Sequence, residues 1–144
     1  MFPLHPRLVH FPIAWTLIGI ALVVVGLARS RADERWLWAG RWLMLGGWIS
    51  ALVAGIAGLV DQSRIADLSA VQDVLNQHIT VGIALLIVLG LALYWPLKDK
   101  QLFSASRKRW AYLALLLLGG LLILLEGWLG GKLVYELGVG VRGG

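Results

Sequence analysis

Trp110 to Gly131 reads WAYLALLLLGGLLILLEGWLGG, an apolar run whose one carboxylate is Glu126 and which holds no basic residue. A helix needs about 20 such residues to cross about 30 Å of hydrocarbon, so the run predicts a membrane span. The basic cluster Ser106-Arg-Lys-Arg109 precedes it. Before that lies a second apolar run, His78 to Leu97, closed by Lys98-Asp-Lys100. Trp36 to Val60 forms another, carrying only Arg41, which sits near enough to its end to snorkel back to the interface. Pro6 to Ala28 is the first, broken by Arg29-Ser-Arg-Ala-Asp-Glu-Arg35. Trp36, Trp38, Trp95, Trp110 and Trp128 fall near the ends of these runs, where an aromatic belt forms. The expected fold is all-α: an integral membrane four-helix up-down-up-down bundle, one domain over 1–144, with spans at about 6–28, 36–60, 78–97 and 110–131.

Composition supports this and narrows the chemistry. Of 144 residues, 59% are hydrophobic and 15% charged, and mean hydropathy is +0.80, which leaves no room for a separate soluble domain. The chain has no cysteine, which excludes disulfides, thiolate metal sites and a cysteine nucleophile. A net charge of +5 reads as a topology signal rather than as affinity for nucleic acid.

Basic residues near span ends stay on the cytoplasmic side. The loop between spans 1 and 2 carries Arg29, Arg31 and Arg35, and that between spans 3 and 4 carries Lys98, Lys100, Arg107, Lys108 and Arg109. The opposite side offers only Arg7 and Arg64, the latter among Asp61, Asp67 and Asp73. Both termini are therefore expected on the periplasmic side of a bacterial inner membrane. The first run ends without a small-x-small cleavage site, so it is expected to stay as a span. In the connection 61–77, Ile65, Leu68, Val71 or Gln72, Leu75 and Ile79 recur at helical spacing, and Ser69 with Gln72 suits a capping box. That connection reads as a short interfacial helix or as an extension of span 3. Small residues in spans 2 (Ala51, Gly55; Ala54, Gly58) and 4 (Gly119, Gly120, Gly127, Gly130, Gly131) suit close packing within the bundle or a homodimer.

Ionisable groups inside spans are costly, and here they share one depth. His10 lies 18 residues from Ala28, His78 lies 19 from Leu97, and Glu126 lies 16 from Trp110. At 1.5 Å per residue these are about 27, 28 and 24 Å above the inner boundary. Spans 1 and 3 are diagonal neighbours in such a bundle, so His10 and His78 are expected to face each other. A haem b ligated by this pair suits the pattern: Ala14 and Gly82 leave room one turn below, Arg7, Arg64 or Lys132 stand near the propionates, and Glu126 accepts an imidazole N–H. Two axial imidazoles favour electron transfer over oxygen chemistry. His5 precedes Pro6, which disfavours helix at His5. It remains a substitute ligand, a propionate partner, or the third member of a copper or zinc site with His10 and His78. Pro12 is expected to loosen the turn around His10 by leaving the Leu8 carbonyl without its donor. The segment from Gly130 to Val141 looks too glycine-rich for regular helix, and Tyr135 is placed to cap the site or lie in an ordered tail.

Leu4-His-Pro-Arg-Leu-Val-His-Phe-Pro-Ile13, His78 with Gly82, and the closing Gly-Gly-Lys-Leu-Val-Tyr135 and Gly-Val-Gly-Val141 resemble the signatures of the domain-of-unknown-function 2231 family. The resemblance covers nearly the whole chain. It implies a four-span bacterial inner-membrane protein, and a place in electron transfer beside a Rieske-type iron–sulfur partner.

Three functions fit the residues: a small b-type cytochrome, a cofactor-free structural or assembly subunit of a membrane redox complex, and a copper- or zinc-handling protein. No nucleophile–base pair or carboxylate dyad supports catalysis. The orientation is open to direct test. Alkaline phosphatase fused after Gly144 is expected to be active in intact bacteria, and a green fluorescent protein fusion at the same place dark; the reverse pattern would invert the topology.

Overall fold

The computed structural model describes residues 5–29, 33–63 and 69–140. They form α1 (His5–Leu8), α2 (His10–Ala28), α3 (Glu34–Gln62), α4 (Gln72–Lys98) and α5 (Ser106–Tyr135), with no strand among the described residues. Counting α1 with α2, four segments are long and apolar enough to cross a membrane. Each is adjacent to the next in a four-helix bundle, while α2 and α4, like α3 and α5, stand diagonally opposed without contact.

The helices outrun the apolar runs. α4 starts at Gln72 rather than His78, and α5 covers Ser106–Tyr135 rather than 110–131. Apolarity marks the thickness of hydrocarbon, whereas a helix continues while its backbone groups lack better partners. For the same reason the glycine-rich stretch after Gly130 stays helical through Tyr135, against the expectation of irregular structure. α4 takes Val71 as N-cap with no side-chain cap, so Ser69 and Gln72 do not hold capping-box positions. The core of the 61–77 connection, residues 64–68, lies outside the described residues. Pro12 lacks the N–H that the Leu8 carbonyl would take, and the first span divides at Val9. Pro6 falls in the first turn of α1, where a missing N–H costs nothing, so His5 opens a helix instead of lying extended.

The outer faces are apolar, with Ile56, Leu97, Leu117 and Leu124 exposed, as the surface of a lipid-soaked bundle must be. Trp38, Trp110 and Trp128 are exposed near helix ends. Arg41 turns its Nε back to the Leu37 carbonyl at 3.2 Å, toward the end of α3.

Helices associate in lipid by close packing, and α2 meets α3 along a stripe of small residues. Thr16, Gly19, Val23 and Gly26 face Leu37, Gly40, Met44 and Gly47, at spacings of three and four on both helices. A Cβ on Gly40 would lie 2.7 Å from the Gly19 carbonyl oxygen, and one on Gly19 would lie 2.8 Å from that of Gly40. The tightest contact thus involves glycines other than the 51/55 and 54/58 pairs, and Gly55 and Gly120 meet nothing within 4 Å. α4 and α5 form the second hairpin. Pro96 cannot donate to the Ala92 carbonyl, and the buried Tyr112 hydroxyl donates to it instead at 3.0 Å. Beyond the helices, the Asp99 carboxylate accepts from Gln101 N–H at 3.0 Å and Lys108 Nζ at 2.6 Å. The Lys108 hydrogen bond holds that carboxyl below its ordinary range.

The Gly19–Gly40 crossing yields a stability test. Gly40→Leu is expected to cost about 1–3 kcal/mol or more through overpacking, seen as a lower thermal midpoint in detergent. Gly120→Leu, which faces open space, should leave the midpoint nearly unchanged.

Candidate functional site

At the end of the bundle opposite the basic loops, three helix ends bring His5, His78 and Glu126 together. Ala54, Gly58 and Asp61 lie four and three residues apart and so share one face of α3. They form a socket for His5. The Asp61 Oδ2 accepts the His5 backbone N–H at 2.8 Å, and the His5 Nδ1 lies 2.6 Å from the Ala54 carbonyl oxygen. That carbonyl already belongs to the helix ladder, and the residue one turn on would normally cover it. Gly58 occupies that place, and a Cβ there would stand 3.0 Å from the His5 Nδ1.

The socket also fixes the tautomer. A carbonyl only accepts, so the His5 Nδ1 carries the hydrogen and donates, and in the neutral ring Nε2 is a bare lone pair. That Nε2 faces the Nε2 of His78 at 3.5 Å. The two ring planes cross at 85° with centroids 5.7 Å apart, which places both nitrogens between the rings, nearly on the line joining them.

His78 is 9% exposed and is held by α5. Its Cε1 would lie 3.4 Å from a Cβ on Gly130. Its Nδ1 is 3.2 Å from Glu126 Oε1, within ion-pair range but off the ring N–H axis, so the contact is electrostatic rather than an aligned hydrogen bond. Glu126 in turn has room because α4 carries Gly82 opposite: a Cβ there would come within 2.9 Å of Oε1. Glu126 Oε2 is buried without a hydrogen-bond partner.

Of the residues expected at the site, the structure gathers His5, His78, Gly82 and Glu126. His10 is the main correction. It is exposed, as is Ala14 one turn along, and the imidazole facing His78 belongs to His5. Five residues along a helix turn a side chain to nearly the opposite face, so the break at Val9 leaves α1 carrying His5 inward and α2 carrying His10 outward. Arg7 is exposed on α1. Lys132 sits over the Trp128 ring, 5.6 Å from its centroid, and Tyr135 is 89% exposed at the end of α5, not over the imidazoles. Arg64 lies outside the described residues. Sequence reasoning missed Asp61, Gly58 and Gly130. The 54/58/61 stripe was the available signal, because an acidic residue two turns from a small pair suits a docked helix end.

The family model described as "Predicted membrane protein (DUF2231)" matches residues 1–143. The chain belongs to this family. Neither the curated proteins nor the solved structures include a match to it.

Access to the Ala54 carbonyl should govern the whole arrangement. Gly58→Ala is expected to expel His5 from its socket and raise its modification by diethyl pyrocarbonate, read by mass spectrometry, severalfold over the parent protein. Ala51→Gly, which leaves the socket intact, serves as the control and should not change it.

Proposed function

We propose that this membrane protein holds one d-block metal ion between the Nε2 atoms of His5 and His78, at the face where the chain begins, and serves to bind and pass on that metal. The observation that carries the reading is the head-on approach of two Nε2 atoms at 3.5 Å. His5 Nδ1 is committed to a carbonyl, as the outer nitrogen of a metal-bound imidazole usually is, and His78 Nδ1 lies beside a carboxylate, 3.2 Å from Glu126 Oε1. In the uncharged pair His78 Nε2–H can donate to the His5 lone pair, and a cation between the nitrogens would take the place of that hydrogen. Zinc favours four ligands, and among the described residues no group of three or more His, Asp or Glu side chains is arranged to hold one ion. Imidazole also suits copper, which accepts fewer ligands.

A second reading is a haem b iron on the same two histidines, favoured by the crossed ring planes of the pair. When bound, such a group supplies one-electron transfer with both axial positions filled. The donor set suits it, but the packing does not. A porphyrin needs a flat slot to either side of the N···N line, and there the Glu126 carboxylate fills the space beside Gly82, with Gly58 and Gly130 against the imidazoles. The open grooves nearby face lipid and are lined by neither histidine. On the haem reading a Rieske-type donor or acceptor would meet the protein at this face.

Elemental analysis and an optical spectrum of the purified protein separate the readings. About one copper per chain, lost in His5→Ala and in His78→Ala and retained in His10→Ala, is expected. Soret and alpha bands lost in the same two variants would select haem. A colourless, metal-free protein that takes up no added metal would overturn both.

A further inference from the structure

The charge around the histidine pair says which ion it takes. Two neutral imidazoles contribute no charge, so an ion between them keeps its full charge at a largely buried place in the bundle. An uncompensated charge in such surroundings is strongly disfavoured, and a compensated one much less so. Glu126 stands beside His78, its Oε1 3.2 Å from Nδ1 and across the ring from Nε2, where as a carboxylate it would offset one positive charge on a bound ion. Its Oε2 is buried and has no hydrogen-bond partner, so the ionised carboxylate is favoured there only when a cation across the ring offsets its desolvation. Asp61 is the other carboxylate nearby. It stands half-buried at the end of α3, and its Oδ2 accepts the His5 backbone N–H.

We infer that the site selects a monovalent soft cation, copper(I) or its analogue silver(I), and that Glu126 is the residue that determines this by neutralising the ion across His78. The inference rests on the metal-centre reading above. Geometry and charge agree on it independently. The d10 ions copper(I) and silver(I) are satisfied by two ligands in a line, and the two Nε2 atoms lie nearly on the line between the ring centroids. Zinc(II) would require two further ligands and would carry one positive charge more than Glu126 can offset. Gly82 is part of the same device. Any side chain there would push the carboxylate away from His78, since even a Cβ would stand 2.9 Å from Oε1.

Silver(I) nitrate and zinc(II) nitrate, both d10 and both redox-inert under these conditions, are the probes. Each is titrated calorimetrically into the full chain in detergent and chloride-free buffer. The wild-type protein is expected to bind one silver(I) per chain at least about tenfold more tightly than zinc(II). Glu126→Gln should weaken silver(I) about 10- to 100-fold, the range for loss of a carboxylate behind a ligating histidine, and Glu126→Asp should restore part of that loss. Zinc(II) binding equal to or tighter than silver(I) in the wild type overturns the inference without any variant. So does a silver(I) affinity that stays within about twofold in Glu126→Gln. If instead His5→Ala and His78→Ala leave the binding of both ions unchanged, the metal-centre reading itself falls.

Discussion

In a bilayer every backbone group needs a partner within the protein, so a side chain can hydrogen-bond to a helix carbonyl only where the helix leaves that carbonyl accessible. Between different helices, the described residues do so at three places. His5 Nδ1 reaches Ala54 over Gly58, and Trp48 Nε1 donates to Leu86 at 2.8 Å over Gly90, which stands one turn on. The Tyr112 hydroxyl donates to Ala92 because Pro96 has no N–H to offer it. These contacts tie α1 to α3, α3 to α4 and α5 to α4. Three residues without either a Cβ or an N–H at the critical place thus connect the helices through polar bonds that are strong in lipid.

The helices are not joined equally. α2 and α3 close on each other through reciprocal glycine contacts, and α4 and α5 pack around the buried Tyr112, Leu116 and Ile123. Between the hairpins the joints are fewer: the Trp48 bond near mid-span, and the His5–His78 contact at the end. The candidate site therefore lies on the seam of two well-packed units. A ligand bridging the imidazoles would contribute to closing that seam as well as occupying it, which links binding to the stability of the whole bundle.

The placement of charge follows the same economy. The basic loops satisfy their few carboxylates locally, with Asp33 accepting from Arg35 N–H and Asp99 from Lys108. At the opposite end one carboxylate, Glu126, is withdrawn among apolar helices and set beside an imidazole. A buried carboxylate is retained at such a depth only where something offsets its desolvation. His78 is its direct neighbour, and polar contacts run on from there through the His5 ring to the Ala54 carbonyl.

Sequence by itself determined the class of the protein. Four apolar runs separated by charged loops leave a chain no architecture in lipid but a helical bundle, and the short connections make consecutive helices antiparallel. It also brought His78 and Glu126 to a common depth, because depth depends only on the rise per residue. What it did not determine was direction around the helix axis. Depth favoured His10 as the ligand with His5 as the alternative, and the choice between them depends on which face of the first span meets α3 and on where α3 offers an uncovered carbonyl. The same holds for the glycines: spacing marks a small stripe, but whether it packs on a helix, as Gly40 does, opens a carbonyl, as Gly58 does, or faces lipid, as Gly55 does, is a property of neighbours that only the folded bundle supplies.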